Sequence, residues 1–384
     1  MIKMATSPAP SAQLQTALVV GGGIGGMATA VLLAKRGIFV DLIDLDPAWK
    51  VSGAGITITG PTLRGYQRLG MLDDIKAHGA VTAKTSIFHF SGQWVRDLDE
   101  LPLEEGVPAH GGIMRPVLHQ LMQERVHAAK IPVRLGITVT ALTPKPGGVD
   151  VMFNDGSNGT YDLVVGADSI FSGVRALAFP HAIDPPYTGQ GCWRISCPKP
   201  PSLVHGEFYL GGDYPAGITQ CSADDVYLWL LEPDAAHEHI PDEALPARLR
   251  ALMAGFGGNA GWIRDQIHEG SVINYRPLKA AIQPMPWFNG RIVLLGDAAH
   301  ATTPHLASGA GMAVESALVL DEELAVSGRQ IEDGLAAYQA RRFPRCKDII
   351  ESSIEIGRMQ LRHAAPAEHT AFVDAALLRL AQSY

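Results

Sequence analysis

The chain alternates short apolar runs with glycine-rich turns from residue 17 onward. Residues 17–20 form an apolar run, residues 27–34 an Ala-rich apolar run, and residues 39–43 a second, mainly apolar run. A run of four or five residues is typical of a buried strand, whereas the longer Ala-rich run favours a helix. Gly37 follows that helix, where a residue with left-handed backbone is expected. The pattern predicts a strand, a helix and a second strand.

Glycines fill the turn between the first predicted strand and the helix. Gly21, Gly23 and Gly26 give the spacing G-x-G-x-x-G, and Asp44 closes the second strand. Such glycines allow a tight turn, close approach of a pyrophosphate and packing of helix on strand, while the acid accepts hydrogen bonds from a ribose. We predict a site for a dinucleotide, NAD or FAD; glycines that only shape the turn are the alternative. The residues assigned here are Gly21, Gly23, Ile24, Gly25, Gly26 and Asp44.

A second segment, near the C-terminal end, favours one of these two ligands. Residues 292–295 form another apolar strand, Gly296 and Asp297 follow it, and small residues at 308–311 open a helix at Met312. An acid at a strand end and an amide-rich helix start suit a polyol chain and an electron-rich carbonyl group. FAD has both groups and NAD has neither. The second segment therefore favours FAD.

Between these segments the pattern changes from helical to strand-rich. Residues 149–153 and 161–166 resemble a hairpin, and residues 185–277 contain aromatic strands with one helix near 245–256. We predict the α/β class, with a Rossmann-like FAD-binding fold, an inserted mainly β substrate-binding sheet and C-terminal helices. The expected divisions are a disordered leader 1–16, a first FAD-binding part 17–184, the substrate-binding sheet 185–277, and a second FAD-binding part with C-terminal helices 278–384.

Composition excludes several classes of function. The 384 residues carry 31 Lys and Arg against 39 Asp and Glu, so no basic excess is present to bind nucleic acid. The sequence has no run of apolar residues long enough to span a membrane, and its opening lacks the apolar stretch of a signal peptide. Its four cysteines form no C-x-x-C pair, and no metal site is predicted. We expect a cytoplasmic protein, either a monomer or a homodimer.

The motifs together resemble one family, the single-component FAD-dependent aromatic hydroxylases, or group A flavoprotein monooxygenases. The matching segments are GDAAH at 296–300, PHLASGAGMAVE at 304–315, GADSIFSGVR at 166–175, Arg115 with Leu118, and GAGI at 53–56. The sequence departs from the family at three positions of these motifs: it has Ser169 for a usual Gly, Ser308 for a frequent Gln and Gly311 for a frequent Asn. The resemblance covers most of the chain.

The resemblance implies a cofactor, a reaction and further binding residues. The cofactor would be FAD, held non-covalently, with NADH or NADPH as electron donor. O₂ would add to C4a of the reduced flavin, and the resulting hydroperoxide would transfer oxygen to a small aromatic, phenol-like or heteroaromatic substrate. Asp297 would bind the ribityl chain. The other residues that the resemblance assigns to the cofactor are Ala54, Gly55, Arg115, Val139, Asp168, Gly309, Ala310, Gly311 and Met312.

Residues for the chemistry itself are less directly indicated, because this reaction needs no protein nucleophile. His305 follows Pro304 in the flavin-facing turn and could relay a proton. Arg194, in a Trp-Arg pair, could bind a substrate carboxylate or the cofactor, and Tyr209 is a further candidate. A packing or ion-pairing role is the alternative for each, and His300 is expected to be structural.

Two other functions remain open at this point. A related flavoprotein could perform N-hydroxylation, epoxidation, halogenation or antibiotic inactivation, although the W-x-W-x-I-P segment of flavin halogenases is missing. A flavin dehydrogenase or a non-enzymatic dinucleotide-binding regulator is the other alternative.

Overall fold

The computed structural model describes residues 14–51, 53–233 and 240–384. In chain order the strands are β1 Thr16–Val20, β2 Phe39–Asp44, β3 Gly55–Thr59, β4 Ala80–Thr82, β5 Lys84–His89, β6 Trp94–Asp99, β7 His110–Met114, β8 Val133–Leu135, β9 Val139–Lys145, β10 Gly148–Phe153, β11 Asn158–Tyr161, β12 Leu163–Gly166, β13 Tyr187–Pro198, β14 Gly206–Leu210, β15 Ala216–Gln220, β16 Asp225–Pro233, β17 Ile273–Lys279, β18 Ala281–Ile282, β19 Phe288–Asn289 and β20 Ile292–Leu294.

Helices cover these strands. They are α1 Ile24–Lys35, α2 Gly60–Leu69, α3 Leu72–His78, α4 Arg115–Ala128, α5 Gly173–Ala178, α6 Leu245–Leu252, α7 Gly258–Gln266, α8 Asp297–His300, α9 Gly309–Leu324, α10 Ile331–Leu361 and α11 Pro366–Ala381. None of the described helices is long and apolar enough to cross a membrane.

The first sheet is mainly parallel, as the sequence predicts for a Rossmann-like fold. Within the described part of the chain its order is β19-β20-β12-β1-β2-β8, and only β19 runs antiparallel to its neighbour. Strand β1 lies between β12 and β2 and is almost entirely buried. Because both faces of such a strand are covered, its side chains are uniformly apolar. The carboxyl ends of β1, β2, β12 and β20 therefore meet at one edge, where the predicted glycine and acid motifs begin.

A second, seven-stranded sheet has the order β17-β13-β16-β15-β14-β5-β6. Its core is separate from that of the first sheet and includes Trp193, Leu228 and Phe256. Helices α6 and α7 pack there, so the single helix expected near 245–256 ends earlier, at Leu252, and a second helix follows. Gly258, with φ of +59°, is the first residue of α7.

Three boundaries predicted from the sequence need correction. Strands β5 and β6, within the expected FAD-binding part 17–184, belong to the seven-stranded sheet, because β5 pairs with β14. The expected hairpin at 149–166 is split: β10 pairs with β9 and β11, while β12 joins the parallel sheet. Residues 1–13 of the expected leader lie outside the described residues. The last residue of that leader, Thr16, is already the first residue of β1 and pairs with Phe39 of β2.

Candidate active site

One large cavity lies where the two sheets and the C-terminal helices meet. Its volume is about 1140 Å³, above the range of roughly 300–1,000 Å³ typical of pockets for drug-sized ligands. It begins at the glycine turn after β1, passes the start of α9 and ends against the seven-stranded sheet. A ligand that filled it would be elongated.

The glycine turn has the geometry that the sequence motif predicts. Gly21 has φ of +106°, and a Cβ atom there would lie 2.3 Å from the carbonyl oxygen of Ala167. At Gly26 a Cβ atom would lie 1.9 Å from the carbonyl oxygen of Gly21, so α1 can cross the turn only with glycine there. Gly23 precedes α1 and lines the cavity. The turn therefore presents the amino end of α1 to the cavity, while Gly26 serves packing alone.

Three side chains hold the glycine turn in place. Asp44, at the end of β2, accepts the amide hydrogen of Gly22 at 2.6 Å. The indole nitrogen of Trp49 donates to the carbonyl oxygen of Gly22 at 3.0 Å, and Nε2 of His119 lies 3.2 Å from the same oxygen. The sequence motif predicts Asp44 but neither ring, because Trp49 and His119 lie outside the motif. Asp44 also lines the cavity, so it can serve the turn and a ligand together.

Three charged side chains point into the middle of the cavity. Arg115 is the first residue of α4, Asp297 begins α8, and Arg194 lies on β13. Burial lowers the pKa of Arg115 and raises the pKa of Asp297, and the attraction between the two opposes both shifts. Arg194 repels Arg115 and lowers its pKa further. No hydrogen bond to a described residue engages any of these three side-chain ends, so they are available to a polar ligand.

The motif at 166–175 joins the two nucleotide-binding parts. The carboxylate of Asp168 accepts the hydroxyl hydrogen of Ser172 and the amide hydrogen of Val174, so it caps α5 while lining the cavity. Burial raises the pKa of Asp168, and these hydrogen bonds oppose the shift. Ser169 has φ of +74°, the left-handed conformation that favours the glycine usual in the family. Arg175 donates to the carbonyl oxygen of Ala298 at 3.0 Å and so ties α5 to α8.

The start of α9 lies against the cavity, but not all of its predicted residues reach it. Gly309 and Ala310 line the cavity. Gly311 instead packs against α2, where a Cβ atom would lie 2.2 Å from Oγ1 of Thr62. Met312 is buried in the core of the parallel sheet. Close packing therefore explains why Gly311 and Met312 do not line the cavity.

Most of the remaining residues assigned to the cofactor line the cavity, but Ala54 does not. Gly55 and Val139 line the cavity, as does Ile24 beside Gly25. Ala54 faces the other way and packs with Cys221 and Tyr227. Its neighbour Gly55 allows this packing, since a Cβ atom there would lie 2.3 Å from Sγ of Cys221.

Tyr209 does not reach the cavity, and its predicted catalytic position needs correction. The side chain is fully buried in the core of the seven-stranded sheet, where it stacks on Phe88 at 5.5 Å between ring centres. Its hydroxyl donates to Glu207 at 2.5 Å and accepts the amide hydrogen of Ala260. Because side chains alternate along a strand, its neighbour Phe208 faces the cavity instead.

His305 lies in the cavity wall, and both of its ring nitrogens already have protein partners. Nδ1 lies 2.9 Å from Oγ1 of Thr303, and Nε2 lies 3.0 Å from Oε1 of Gln190. Burial lowers the pKa of His305 to about 4. The predicted proton relay through His305 therefore has no free nitrogen that faces a substrate. His300 is buried, with Nε2 2.8 Å from the hydroxyl of Ser316, which fits the structural role expected of it.

The seven-stranded sheet supplies a cavity wall that the motifs do not predict. Arg194 of β13 pairs in register with Trp229 of β16, and Cys192 pairs with Leu231. Phe208 contacts Trp229 edge to face at 5.7 Å between ring centres. The residues of this aromatic wall are Cys192, Arg194, Phe208, Tyr227, Trp229, Leu231 and Leu278. Alternate positions of β13 and β16 form it, so a two-residue period was the available sequence signal.

The charged groups and the extent of the cavity fit those of FAD. The amino end of α1 attracts phosphate, the carboxylates of Asp44 and Asp297 can accept hydroxyl hydrogens, and Arg115 supplies a cation between them. The amides that open α9 lie farther along the same cavity. The aromatic wall lines the same cavity.

Known proteins are similar to this chain in sequence and in fold. A family model described as an FAD binding domain matches residues 14–353. YetM of Bacillus subtilis (strain 168), provisionally named an FAD-dependent monooxygenase, is 30% identical over 353 residues, 91% of this chain and 95% of its own. The 2-heptyl-3-hydroxy-4(1H)-quinolone synthase of Pseudomonas aeruginosa (strain UCBPP-PA14) is 29% identical over 350 residues, 90% of this chain and 89% of its own.

A solved structure agrees over nearly the whole chain. The crystal structure of Klebsiella pneumoniae HpxO complexed with FAD and uric acid superposes with a TM-score of 0.82 at 25% identity, covering 96% of this chain and 93% of HpxO. The FAD binding domain model spans most of the chain, and the fold is that of an enzyme solved with FAD. The chain belongs to this family of FAD-dependent monooxygenases.

Proposed function

We propose that the protein uses NADH or NADPH and O₂ to hydroxylate a small aromatic or heteroaromatic ring, with FAD bound non-covalently. The observation that carries the proposal is the single cavity that joins the glycine turn, the charged cluster and the aromatic wall. When bound, FAD supplies the redox chemistry: the nicotinamide donor reduces it, and it activates O₂ for transfer of one oxygen atom to the ring.

Residues at one end of the cavity would hold the cofactor. Gly21, Gly23 and the first turn of α1 would hold its phosphates, and Asp44 would accept hydrogen bonds from its ribose. Arg115 would supply a cation to it, and Asp297 would accept hydrogen bonds from its ribityl chain. Gly309 and Ala310 would offer backbone amides to its ring system. No histidine or cysteine motif for covalent attachment accompanies these residues, which is why we infer a non-covalent complex.

Residues at the other end would bind and orient the substrate. Phe208 and Trp229 provide flat apolar surface for a ring and keep water away from it. Arg194 provides a cation that can pair with a substrate carboxylate or with an oxygen that gains negative charge. The rings in the names of two relatives, a quinolone and uric acid, support a heteroaromatic substrate.

Oxygen uptake with a panel of rings tests the proposal. Consumption of NADH or NADPH should rise with a true substrate, and under ¹⁸O₂ the product should gain one labelled oxygen atom on the ring. A label on nitrogen or in an epoxide would favour the related oxygenations. Turnover of the donor with an artificial electron acceptor, but no label in any product, would favour a dehydrogenase and overturn the proposal.

Acid precipitation tests how the cofactor is held. FAD should remain in the supernatant when the purified yellow protein is denatured. Flavin that stays with the precipitated chain, or FMN in the supernatant, would contradict non-covalent FAD.

A further inference from the structure

A chain of hydrogen-bonded side chains lies behind the cavity wall at His305. Nε2 of His305 lies 3.0 Å from the Oε1 position of Gln190, and the Nε2 position of Gln190 lies 2.9 Å from the Oε1 position of Gln360. Gln190 is buried on β13 with 1% of its surface exposed, whereas Gln360, on α10, lines the cavity. Through the buried Gln190, the chain thus connects a histidine of the cavity wall to a carboxamide that a ligand can touch.

The hydroxyl groups on the other side of His305 determine which ring nitrogen carries hydrogen. Ser353 donates its only hydroxyl hydrogen to the carbonyl oxygen of Thr303 at 2.9 Å. The bond of 2.8 Å between the hydroxyls of Thr303 and Ser353 must then use the hydrogen of Thr303. Oγ1 of Thr303 can therefore only accept from His305, so Nδ1 of His305 is protonated.

The other nitrogen of His305 is left without a hydrogen if the ring is neutral. The ring contacts Thr303, Gln190 and α10, and burial lowers its pKa to about 4. Contact with Gln360 opposes this shift, and the nearby His369 adds to it. At neutral pH, Nε2 is therefore a hydrogen-bond acceptor and needs a donor opposite it.

The need for a donor opposite Nε2 of His305 determines the orientation of the carboxamides of Gln190 and Gln360. The oxygen and nitrogen of a glutamine carboxamide exchange places by a half-turn, so their partners decide which end faces which. Gln190 must turn its NH₂ group to His305, which leaves its oxygen facing Gln360. Gln360 must then give its own NH₂ group to Gln190. The end of Gln360 that Gln190 does not hold is its carbonyl oxygen.

We propose that Gln190 is a positioning residue that directs the carbonyl oxygen of Gln360 toward the cavity, and that Gln360 selects rings carrying an N–H or O–H donor. The proposal rests on the proposed function, since it assumes that the cavity takes a ring. A ring in which a methyl group replaces that hydrogen would leave the oxygen of Gln360 unpaired and would bind more weakly.

The packing of α10 supports a fixed rather than a freely rotating pair of carboxamides. A Cβ atom at Gly357 would lie 2.7 Å from Oε1 of Gln190 and 3.0 Å from Cε1 of His305. The backbone of α10 therefore lies directly on the hydrogen-bonded chain and leaves no room for a water molecule between them.

Nitrogen-15 NMR of the FAD-loaded protein, labelled in its histidine rings, tests the orientation without any substrate. The resonances of His305, assigned by their loss in His305→Gln, should show a neutral ring protonated at Nδ1 at pH 7. In Gln190→Leu, the Nε2 resonance should move toward that of an imine nitrogen without a donor. A ring protonated at Nε2, or an unchanged Nε2 resonance in Gln190→Leu, would overturn the proposal.

Binding of matched ring pairs tests the selectivity. The probes are 4-quinolone with 1-methyl-4-quinolone, and phenol with anisole, followed through the absorbance of the oxidised flavin. We expect the wild type to prefer each donor ring about tenfold, the scale of one hydrogen bond. Gln360→Leu should abolish this preference and Gln190→Leu should reduce it, whereas Gln120→Leu, on the exposed face of α4, should keep it.

The two measurements separate failure of this proposal from failure of the proposed function. An unchanged preference in Gln360→Leu, or a wild-type preference for the methylated rings, would overturn the selectivity of Gln360. If no ring binds the wild type, the proposed function loses its support, and the NMR result still decides the orientation of Gln190.

Discussion

The carboxylate of Asp44 accepts the amide hydrogen of Gly22 at 2.6 Å, which joins the end of β2 to the glycine turn after β1. The second oxygen of the carboxylate accepts the amide hydrogen of Asp46 at 2.8 Å. Each carboxylate oxygen can accept more than one hydrogen bond, so both retain capacity on the cavity side. One residue thus shapes the turn and remains available to a ribose.

Asp44→Ala should weaken FAD binding by about 1–3 kcal/mol, the cost of losing a hydrogen bond to a charged group. The dissociation constant can be measured by flavin fluorescence as FAD is added to the FAD-free protein. Asp155→Ala, in an exposed turn away from the cavity, is the control. Equal dissociation constants for Asp44→Ala and the wild type would reject the assignment of Asp44.

Arg115→Met should also reduce FAD affinity, by roughly tenfold or more, because it removes a cation that no described residue neutralises by a hydrogen bond. Arg125→Met is a matched control on the same helix, since Arg125 pairs with Asp74 instead. The same fluorescence titration compares the two. A similar loss in both variants would indicate a general effect on α4.

Glu315→Gln should destabilise the protein by about 3–5 kcal/mol at pH 7, because it leaves the buried Arg342 and the partly buried Arg345 without a counter-charge. Glu315 is almost fully buried and contacts Arg342 at 2.9 Å and Arg345 at 2.9 Å. Urea unfolding measures the difference. Glu351→Gln, in an exposed pair with Lys347, should change the free energy of unfolding by no more than about 0.5 kcal/mol.

The effect of Glu315 should depend on pH in a defined direction. Burial raises the pKa of Glu315, but Arg342 and Arg345 outweigh burial and hold that pKa below its usual 4.5. A lowered native pKa gives stability that is complete above the unfolded value and is lost as the pH falls through the native value. The difference between wild type and Glu315→Gln should therefore shrink below about pH 4.5. A constant difference down to pH 3 would contradict this ion pair.

Tyr209→Phe and Tyr227→Phe should differ in their effect on ring affinity. The first removes the hydroxyl that donates to buried Glu207 and should cost about 1–2 kcal/mol of stability, with ring affinity unchanged. The second removes a buried hydroxyl from the cavity wall, bonded to Thr57 at 2.6 Å, and should lower ring affinity as well as stability. Thermal unfolding and ring titration give both quantities. Loss of turnover without loss of stability in Tyr209→Phe would restore Tyr209 as a catalytic candidate.

His305→Ala and His305→Gln separate proton relay by His305 from a positioning role. Flavin reduction and product formation can be followed separately by stopped flow. A relay predicts product formation slowed about 100-fold, with a smaller loss at high pH, where a phenolic substrate ionises unaided. Because both nitrogens of His305 are already bonded, we expect instead a loss that is the same at all pH values, with more hydrogen peroxide released.

The local motifs predict the residues at the glycine-turn end of the cavity better than those at the aromatic wall. Gly21, Asp44 and Asp297 lie in short segments whose spacing determines their geometry. Phe208 and Tyr209 are adjacent, and one faces the cavity while the other faces the core. Which of them does so depends on pairing with β5 and β15, and a single strand does not reveal that register.

Residues far apart in the chain were beyond prediction for a related reason. Gln190 and Gln360 are separated by 170 positions and belong to no motif. They meet because α10 packs across the end of β13, which only the folded chain determines. The left-handed backbone of Ser169 was not predicted either: the motif shows only that serine replaces the family glycine there, and the φ of +74° comes from the structure.

The pairing of β5 with β14 has a consequence for synthesis of the chain on the ribosome. In that parallel pair Thr85 lies opposite Gly206, so the partner strand is made 121 residues later. At roughly 5–20 residues per second, β5 waits about 6–24 s for it. During that interval the edge of the β5–β6 hairpin can pair with other chains. Slower growth at low temperature, or added chaperones, should therefore raise the yield of soluble protein, and residues 185–277 expressed alone should not fold.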